Sequence, residues 1–308
     1  MSQVFFTKSP DKAAELFDRA GLGTVITPGD LVALKIHFGE PGNKAFIKPE
    51  RVKTVVARIK QLGGRPFFTD ANTLYHGRRN DNASHLETAR EHGYTLEKTG
   101  AEVVIADEPG DYRGRELTVN FKHFKKLYVA PKVFTAKSLV VLTHFKGHEA
   151  TGFGGALKNA GMGLGSKLGK LKMHQDCPNC PEIKSCRKNQ TIEACWFGSP
   201  ESVQERMAEY AAGILEQFKG KTAYLTFVTD VSENCDCYPL NSAPIVPDVG
   251  ILASFDPVAI DQASIDLVNQ AAGRDIFHSL YPDVDWQVQL NYGESLGLGS
   301  RKYELVVE

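Results

Sequence analysis

The sequence predicts an α/β fold: a mostly parallel sheet with helices on both faces, plus a Cys-rich insertion. Two observations predict it. Short apolar runs bounded by Gly and Pro alternate with segments of helical apolar periodicity along nearly all of the 308 residues, the order expected of a parallel sheet covered by helices. Residues 173–198 follow neither pattern, yet they hold four of the six cysteines.

Leu31 to Phe38 is an apolar run between Pro28-Gly29-Asp30 and Gly39-Glu40-Pro41-Gly42, which predicts a buried strand. Pro49, suited to a first helical turn, opens a helix to about Leu62; Val52, Val55, Val56 and Ile59 give its apolar face and Gly63-Gly64 ends it. Arg65 to Thr69 predicts the next strand, Ala83 to His92 a helix closed by Gly93, and Glu102 to Ala106 another strand. The rhythm resumes with a strand at Ser138 to Thr143, a helix near Ser202 to Phe218, strands at Thr222 to Thr229 and Gly250 to Ala253, and a helix from Pro257 to about Ala272. Residues 1–308 read as one α/β unit, with 173–198 as a metal-binding insertion within it. No internal repeat or low-complexity linker interrupts the chain.

The chain is 42% hydrophobic and 24% charged, and its 36 Lys plus Arg balance 37 Asp plus Glu to a formal charge of −1. A chain this long buries roughly 75% of the surface its unfolded form exposes, so its core needs no disulfide or metal. The cysteine cluster needs another reason. Charge balance argues against nucleic-acid binding by bulk electrostatics. No apolar run approaches the ~18 residues of a membrane span, and the first residues lack the basic and apolar regions of a signal peptide. A cytoplasmic address is expected, where structural disulfides are the less common use of cysteine. The expected partners are a small anionic ligand or a redox partner protein.

All six cysteines lie between Cys177 and Cys237. Cys177, Cys180, Cys186 and Cys195, with His174 just before them, offer four soft ligands for tetrahedral zinc or a cubane iron–sulfur cluster. Their intervals of two, five and eight residues differ from the compact ferredoxin run of two, two and three. Cys235 and Cys237 follow a strand, where open α/β sheets place their ligand sites. Residues two apart on an extended segment share a face, so this pair is expected to bind metal or act as a reactive dithiol. His144 and His148 also follow a strand, and would be neighbouring metal ligands if their turn were helical.

Residues 150–175 contain no Asp or Glu, but carry Lys158, Lys167, Lys170, Lys172 and seven glycines between Gly152 and Gly169. Backbone N–H groups and ammonium charge there would suit an anion; no P-loop pattern is present. His37, Asp70, Asn72, Tyr75, His76, Arg78 and Arg79 follow the first two predicted strands and would converge on the same crevice. Arg78, Lys158 and Asp70 are the expected substrate-binding residues, Arg78 as a bidentate partner for a carboxylate or phosphate. No catalytic residue is assigned from the sequence.

The segments Lys35-Ile-His-Phe-Gly-Glu40, Asp70-Ala-Asn-Thr-Leu-Tyr-His-Gly-Arg78, Thr143-His-Phe-Lys-Gly-His148, Gly152-Phe-Gly-Gly-Ala-Leu-Lys-Asn159, Cys235-Asp-Cys237 and Ala243-Pro-Ile-Val-Pro-Asp248 resemble a prokaryotic family of unknown function labelled uncharacterised iron-sulfur centre proteins. The match runs over nearly the whole chain. Many members carry a ferredoxin segment where this chain has residues 173–198. The resemblance implies a 4Fe-4S cluster with a redox or electron-transfer role, hence an oxidoreductase if the protein is an enzyme; the altered Cys spacing keeps zinc as the alternative. More remotely, strand-end histidines near a glycine-rich lysine segment are similar to the arrangement in nickel-pincer lactate racemase. Two other readings stand beside the redox one: a metal-dependent enzyme acting on a small anionic substrate, and a zinc-stabilised interaction module.

Overall fold

A computed structural model of the chain describes residues 1–180, 184 and 195–307. Its strands are β1 (Ser2–Thr7), β2 (Leu31–Lys35), β3 (Arg65–Thr69), β4 (Glu102–Val103), β5 (Arg115–Thr118), β6 (Lys126–Val129), β7 (Ser138–His144), β8 (Lys146–His148), β9 (Gly152–Gly154), β10 (Thr222–Val228), β11 (Gly250–Ser254) and β12 (Tyr303–Val307). The α-helices are α1 (Ala13–Arg19), α2 (Pro49–Gln61), α3 (Asn82–Glu91), α4 (Leu96–Thr99), α5 (Ala156–Leu164), α6 (Lys167–His174), α7 (Pro200–Glu216), α8 (Pro257–Ala272), α9 (Ile276–Leu280) and α10 (Gln287–Ser295).

Eight strands form the main sheet in the order β12-β1-β11-β10-β7-β2-β3-β4. All neighbours are parallel except β11, which runs antiparallel to both β1 and β10. The mostly parallel α/β architecture is thus the one the sequence predicts. β5–β6 and β8–β9 form two small antiparallel ribbons outside it.

The alternation of side chains along β7 explains why both faces carry helices. Leu139 and Val141 enter one buried cluster with Ala160 of α5, Met207 of α7 and Ile260 of α8. Val140 and Leu142 enter the other, with Leu16 of α1 and Val55 and Ile59 of α2. A strand buried on both sides needs an unbroken apolar run, which is what made β7 legible.

Close packing also explains several glycines in the segment 150–175. A Cβ on Gly161 would lie 2.3 Å from the Met207 carbonyl oxygen, where α5 crosses α7. Gly161→Ala is expected to destabilise the fold by about 1–3 kcal/mol through overpacking, read as a lower urea midpoint. A neutral result would show that the two helices part freely. The N-terminus of α5 is not an anion site. Its Ala156 and Leu157 N–H groups donate to the buried Asp261 carboxylate at 2.6 and 3.0 Å.

The order in which strands are added reverses between the parallel neighbours β2 and β7. The chain builds outward from β2 to β3 and β4 on one side, and from β7 to β10 on the other. A crevice at the C-terminal ends of these strands is the usual ligand position in open α/β sheets. Among the described residues no helix is long and apolar enough to cross a membrane.

Candidate metal and anion site

A cavity of about 580 Å³ opens at that switch point. Its lining includes His37 beyond β2, Asp70 beyond β3, Lys146 and His148 of β8, Lys158 of α5, Lys170 and His174 of α6, and Cys235 and Cys237 beyond β10. The strand-end convergence read from the sequence is present.

The two thiols meet for a reason other than the extended geometry expected from the sequence. Tyr238 N–H donates to the Cys235 carbonyl at 3.0 Å, closing a tight turn over residues 235–238. That turn brings the sulfurs to 3.1 Å and sends Asp236 away into the interior, where it is fully buried. There His144 Nδ1 donates to both Asp236 oxygens at 2.9 Å, and Lys146 Nζ donates at 3.1 Å. Burial alone would raise the Asp236 carboxyl, but the charges of His144 and Lys146 outweigh it and hold the group well below the usual carboxylate range.

His37 Nε2 lies 3.5 Å from Cys237 Sγ, and Lys158 Nζ donates to Cys235 Sγ at 3.4 Å. One S–H···S bond joins the sulfurs. It lowers the Cys235 thiol; burial opposes this, but Lys158 and Lys146 bring it well below its ordinary value, while the same bond and burial push Cys237 up. Cys235 is thus the more acidic of the two thiols.

One donor atom each from His37, Cys235 and Cys237 lies within 4.8 Å of the others, the one such group of three among the described residues. Two thiolates and an imidazole match a tetrahedral site that leaves one position for water or substrate. Metal–sulfur bonds of ~2.3 Å would separate the sulfurs by about 3.8 Å, so from 3.1 Å they must part by about 0.7 Å. Gly39 N–H donates to His37 Nδ1 at 3.0 Å, which places the neutral ring's proton on Nε2. Metal uptake must displace that proton and the one shared by the two sulfurs.

Several expected ligands stand elsewhere. His144 and His148 do not share a helical turn, because β7 ends at His144 and β8 begins at Lys146. Both His144 nitrogens face oxygen: Nδ1 meets Asp236, and Nε2 donates to the Thr229 carbonyl at 2.8 Å. It offers no lone pair to a metal and instead positions the Cys-Asp-Cys turn. His148 reaches the cavity, but Ala150 N–H donates to its Nδ1 at 3.2 Å, so its neutral ring presents Nε2–H as a donor. Burial, reinforced by Lys158, keeps it neutral.

Arg78 is not in the cavity. Its guanidinium is exposed and pairs with Glu87 at 2.8 Å and Glu91 at 2.6 Å on α3. The cavity-facing arginine is Arg79, held by Glu40 at 2.8 Å and Asp70 at 3.3 Å. Asp70 lines the cavity as a counter-ion, 2.9 Å from Lys35 Nζ. Lys158 faces the cavity beside the thiols. Cys177, Cys180 and Cys195 are half-buried, and Cys186 lies outside the described residues. The sequence named His37 only as one converging polar group; its position two residues past β2, opposite Cys237, makes it the third donor.

Fold and site together define an open α/β protein with a Cys/His donor group at its topological switch point. The chain belongs to the family described as Domain of unknown function (DUF362), whose profile matches residues 32–266. It is also similar to a thylakoid-associated protein of Synechocystis sp., 24% identical over 155 residues, which are 49% of this chain and 44% of that protein. Lactate racemase apoprotein from Thermoanaerobacterium thermosaccharolyticum aligns over 75% of this chain and 51% of its own, at 15% identity and TM-score 0.43. A protein of known crystal structure from Thermotoga maritima aligns over 86% of this chain and 59% of its own, at 10% identity and TM-score 0.48. Likeness at these scores carries no argument about chemistry.

Proposed function

We propose that the protein is a metal-dependent enzyme whose cavity holds a transition-metal ion on Cys235, Cys237 and His37, and a small organic anion beside it on Lys158. The observation that supports it is the convergence of three soft and borderline donors at one wall of a cation-lined cavity. Such donors favour zinc, iron, nickel or copper over calcium or magnesium. The metal supplies an electrophilic centre when bound; the chain's own residues hold the thiolate charge, fix the imidazole and attract the anion.

An iron–sulfur cluster with a redox role is a second proposal, for the insertion. Its support is that His174 and Trp196, near the two ends of the insertion, meet at a ring separation of 4.4 Å and both line the cavity. A cluster on Cys177, Cys180, Cys186 and Cys195 would stand close to the same ligand. Metal and acid-labile sulfide analysis of protein purified under argon tests both readings. The pocket reading expects about one metal retained in Cys177→Ser/Cys180→Ser. The cluster reading expects about four iron and four sulfide in the wild type, lost in that variant. No bound metal in either protein would overturn both.

A further inference from the structure

Five cationic side chains line the cavity: Lys35, Arg79, Lys146, Lys158 and Lys170. Three of them already have strong partners. Lys35 is held by Asp70 at 2.9 Å and Asn159 at 2.7 Å, and Arg79 by Glu40, Asp70 and the Tyr75 hydroxyl. Lys146 donates to Asp236 and to the His144 carbonyl. Lys158 and Lys170 differ. An ammonium has three donors, yet among the described residues Lys158 makes its one hydrogen bond to Cys235 Sγ. Lys170, only 7% exposed, makes its one to the Gly165 carbonyl.

These two ammonium groups belong to opposite ends of α5. Lys158 is in its first turn, whereas Gly165, on which Lys170 rests, follows its last residue. That separation is about two helical turns, on the order of 10 Å at 1.5 Å per residue. The wall between is partly apolar, with Met162 of α5 and Val203 and Met207 of α7. His148 adds an Nε2–H donor without adding charge.

We infer that the cavity takes an organic acid with two anionic groups joined by an apolar segment, one group on Lys158 beside the thiols and the other on Lys170. This rests on the anion-binding part of the proposed function and names its substrate class. Either end can be a carboxylate or a phosphate, since both are oxyanions that accept from an ammonium.

Burial pushes Lys170 down to about 8, opposed by Asp107 and Asp70 and reinforced by Lys35 and Arg79. His174 on the same helix sits at about 3, lowered by burial and then by Lys158 and Lys170; His85 behind Asp70 is also lowered to about 3, mainly by burial. Both stay neutral while Lys170 titrates. Asp107, which faces Lys170, is raised to about 6 by burial, so the hold on the second anionic group weakens as Asp107 ionises through that value and falls again as pH rises through ~8.

Calorimetric titration with α,ω-dicarboxylates of increasing chain length, against monocarboxylates of matched length, tests the inference. We expect a length optimum at which the dicarboxylate binds about tenfold or more tighter than the monocarboxylate. Lys170→Met should bring the dicarboxylate down to the monocarboxylate's affinity, and Lys170→Arg should keep most of the difference. Monocarboxylate binding with no length optimum in the wild type would overturn this inference and leave the anion site standing. Failure of every acid to bind would overturn both.

Discussion

Cys235→Ser/Cys237→Ser is expected to lose the pocket metal, with affinity falling by more than about 100-fold. Serine keeps the shape of the turn but replaces two soft thiolates with hydroxyls that do not ionise near neutral pH. His37 alone then faces the metal, too few donors for a stable site. His37→Ala should cost less, since both sulfurs remain and solvent can fill the vacated position. Metal quantification after dialysis against a weak chelator checks the ranking. Equal retention in wild type and the double variant would remove the pocket site from consideration.

The second large effect concerns the residue between the cysteines. Asp236→Ala leaves the His144 and Lys146 charges buried without their counter-ion, which is expected to cost about 3–5 kcal/mol of stability. Asp236→Asn keeps an acceptor for His144 and should lose less. Because the Asp236 carboxyl is depressed in the folded protein, its contribution is present above the unfolded value near ~3.9 and is lost as pH falls below it. Wild type should therefore lose stability into the acid limb more steeply than Asp236→Ala. Urea unfolding at neutral and acid pH checks both points, with an unchanged m-value required for the comparison. A variant as stable as wild type would mean that the turn is held by its backbone alone.

The sheet's interior was readable because strands buried on both faces cannot hide: β2, β7, β10 and β11 are nearly continuous apolar runs. β12 was not, since as an edge strand it carries a mixed, half-exposed pattern, Tyr-Glu-Leu-Val-Val, with no buried face to set an apolar run. The ribbon β8–β9 was missed because Lys146-Gly-His148 and Gly152-Phe-Gly154 are too short to show a period. That miss produced the expectation of a helical turn bearing His144 and His148.

Within the site, the segment Lys35 to Glu40 was read as important but not resolved into roles. Lys35 balances Asp70, His37 faces Cys237, and Glu40 fixes Arg79 and Tyr75. Arg78 and Arg79 could not be separated by sequence, because neighbouring residues in a loop point in different directions and only the packing decides which is buried. The thiol pair was legible from its spacing. Its cause, a turn tied down by a buried aspartate, needed the partners His144 and Lys146, which are far off in sequence and close only in the fold.

The most direct test of the metal site is a cobalt(II) titration, under argon, of reduced protein in which Cys177, Cys180, Cys186 and Cys195 are all serine. The structure predicts about one equivalent bound, with sulfur-to-cobalt charge-transfer absorption and the visible bands of a tetrahedral ion. Further replacement of Cys235 and Cys237 should abolish both signals. Cobalt bound without sulfur absorption, or not bound at all while the protein remains folded, would contradict the assignment of Cys235, Cys237 and His37 as a metal site.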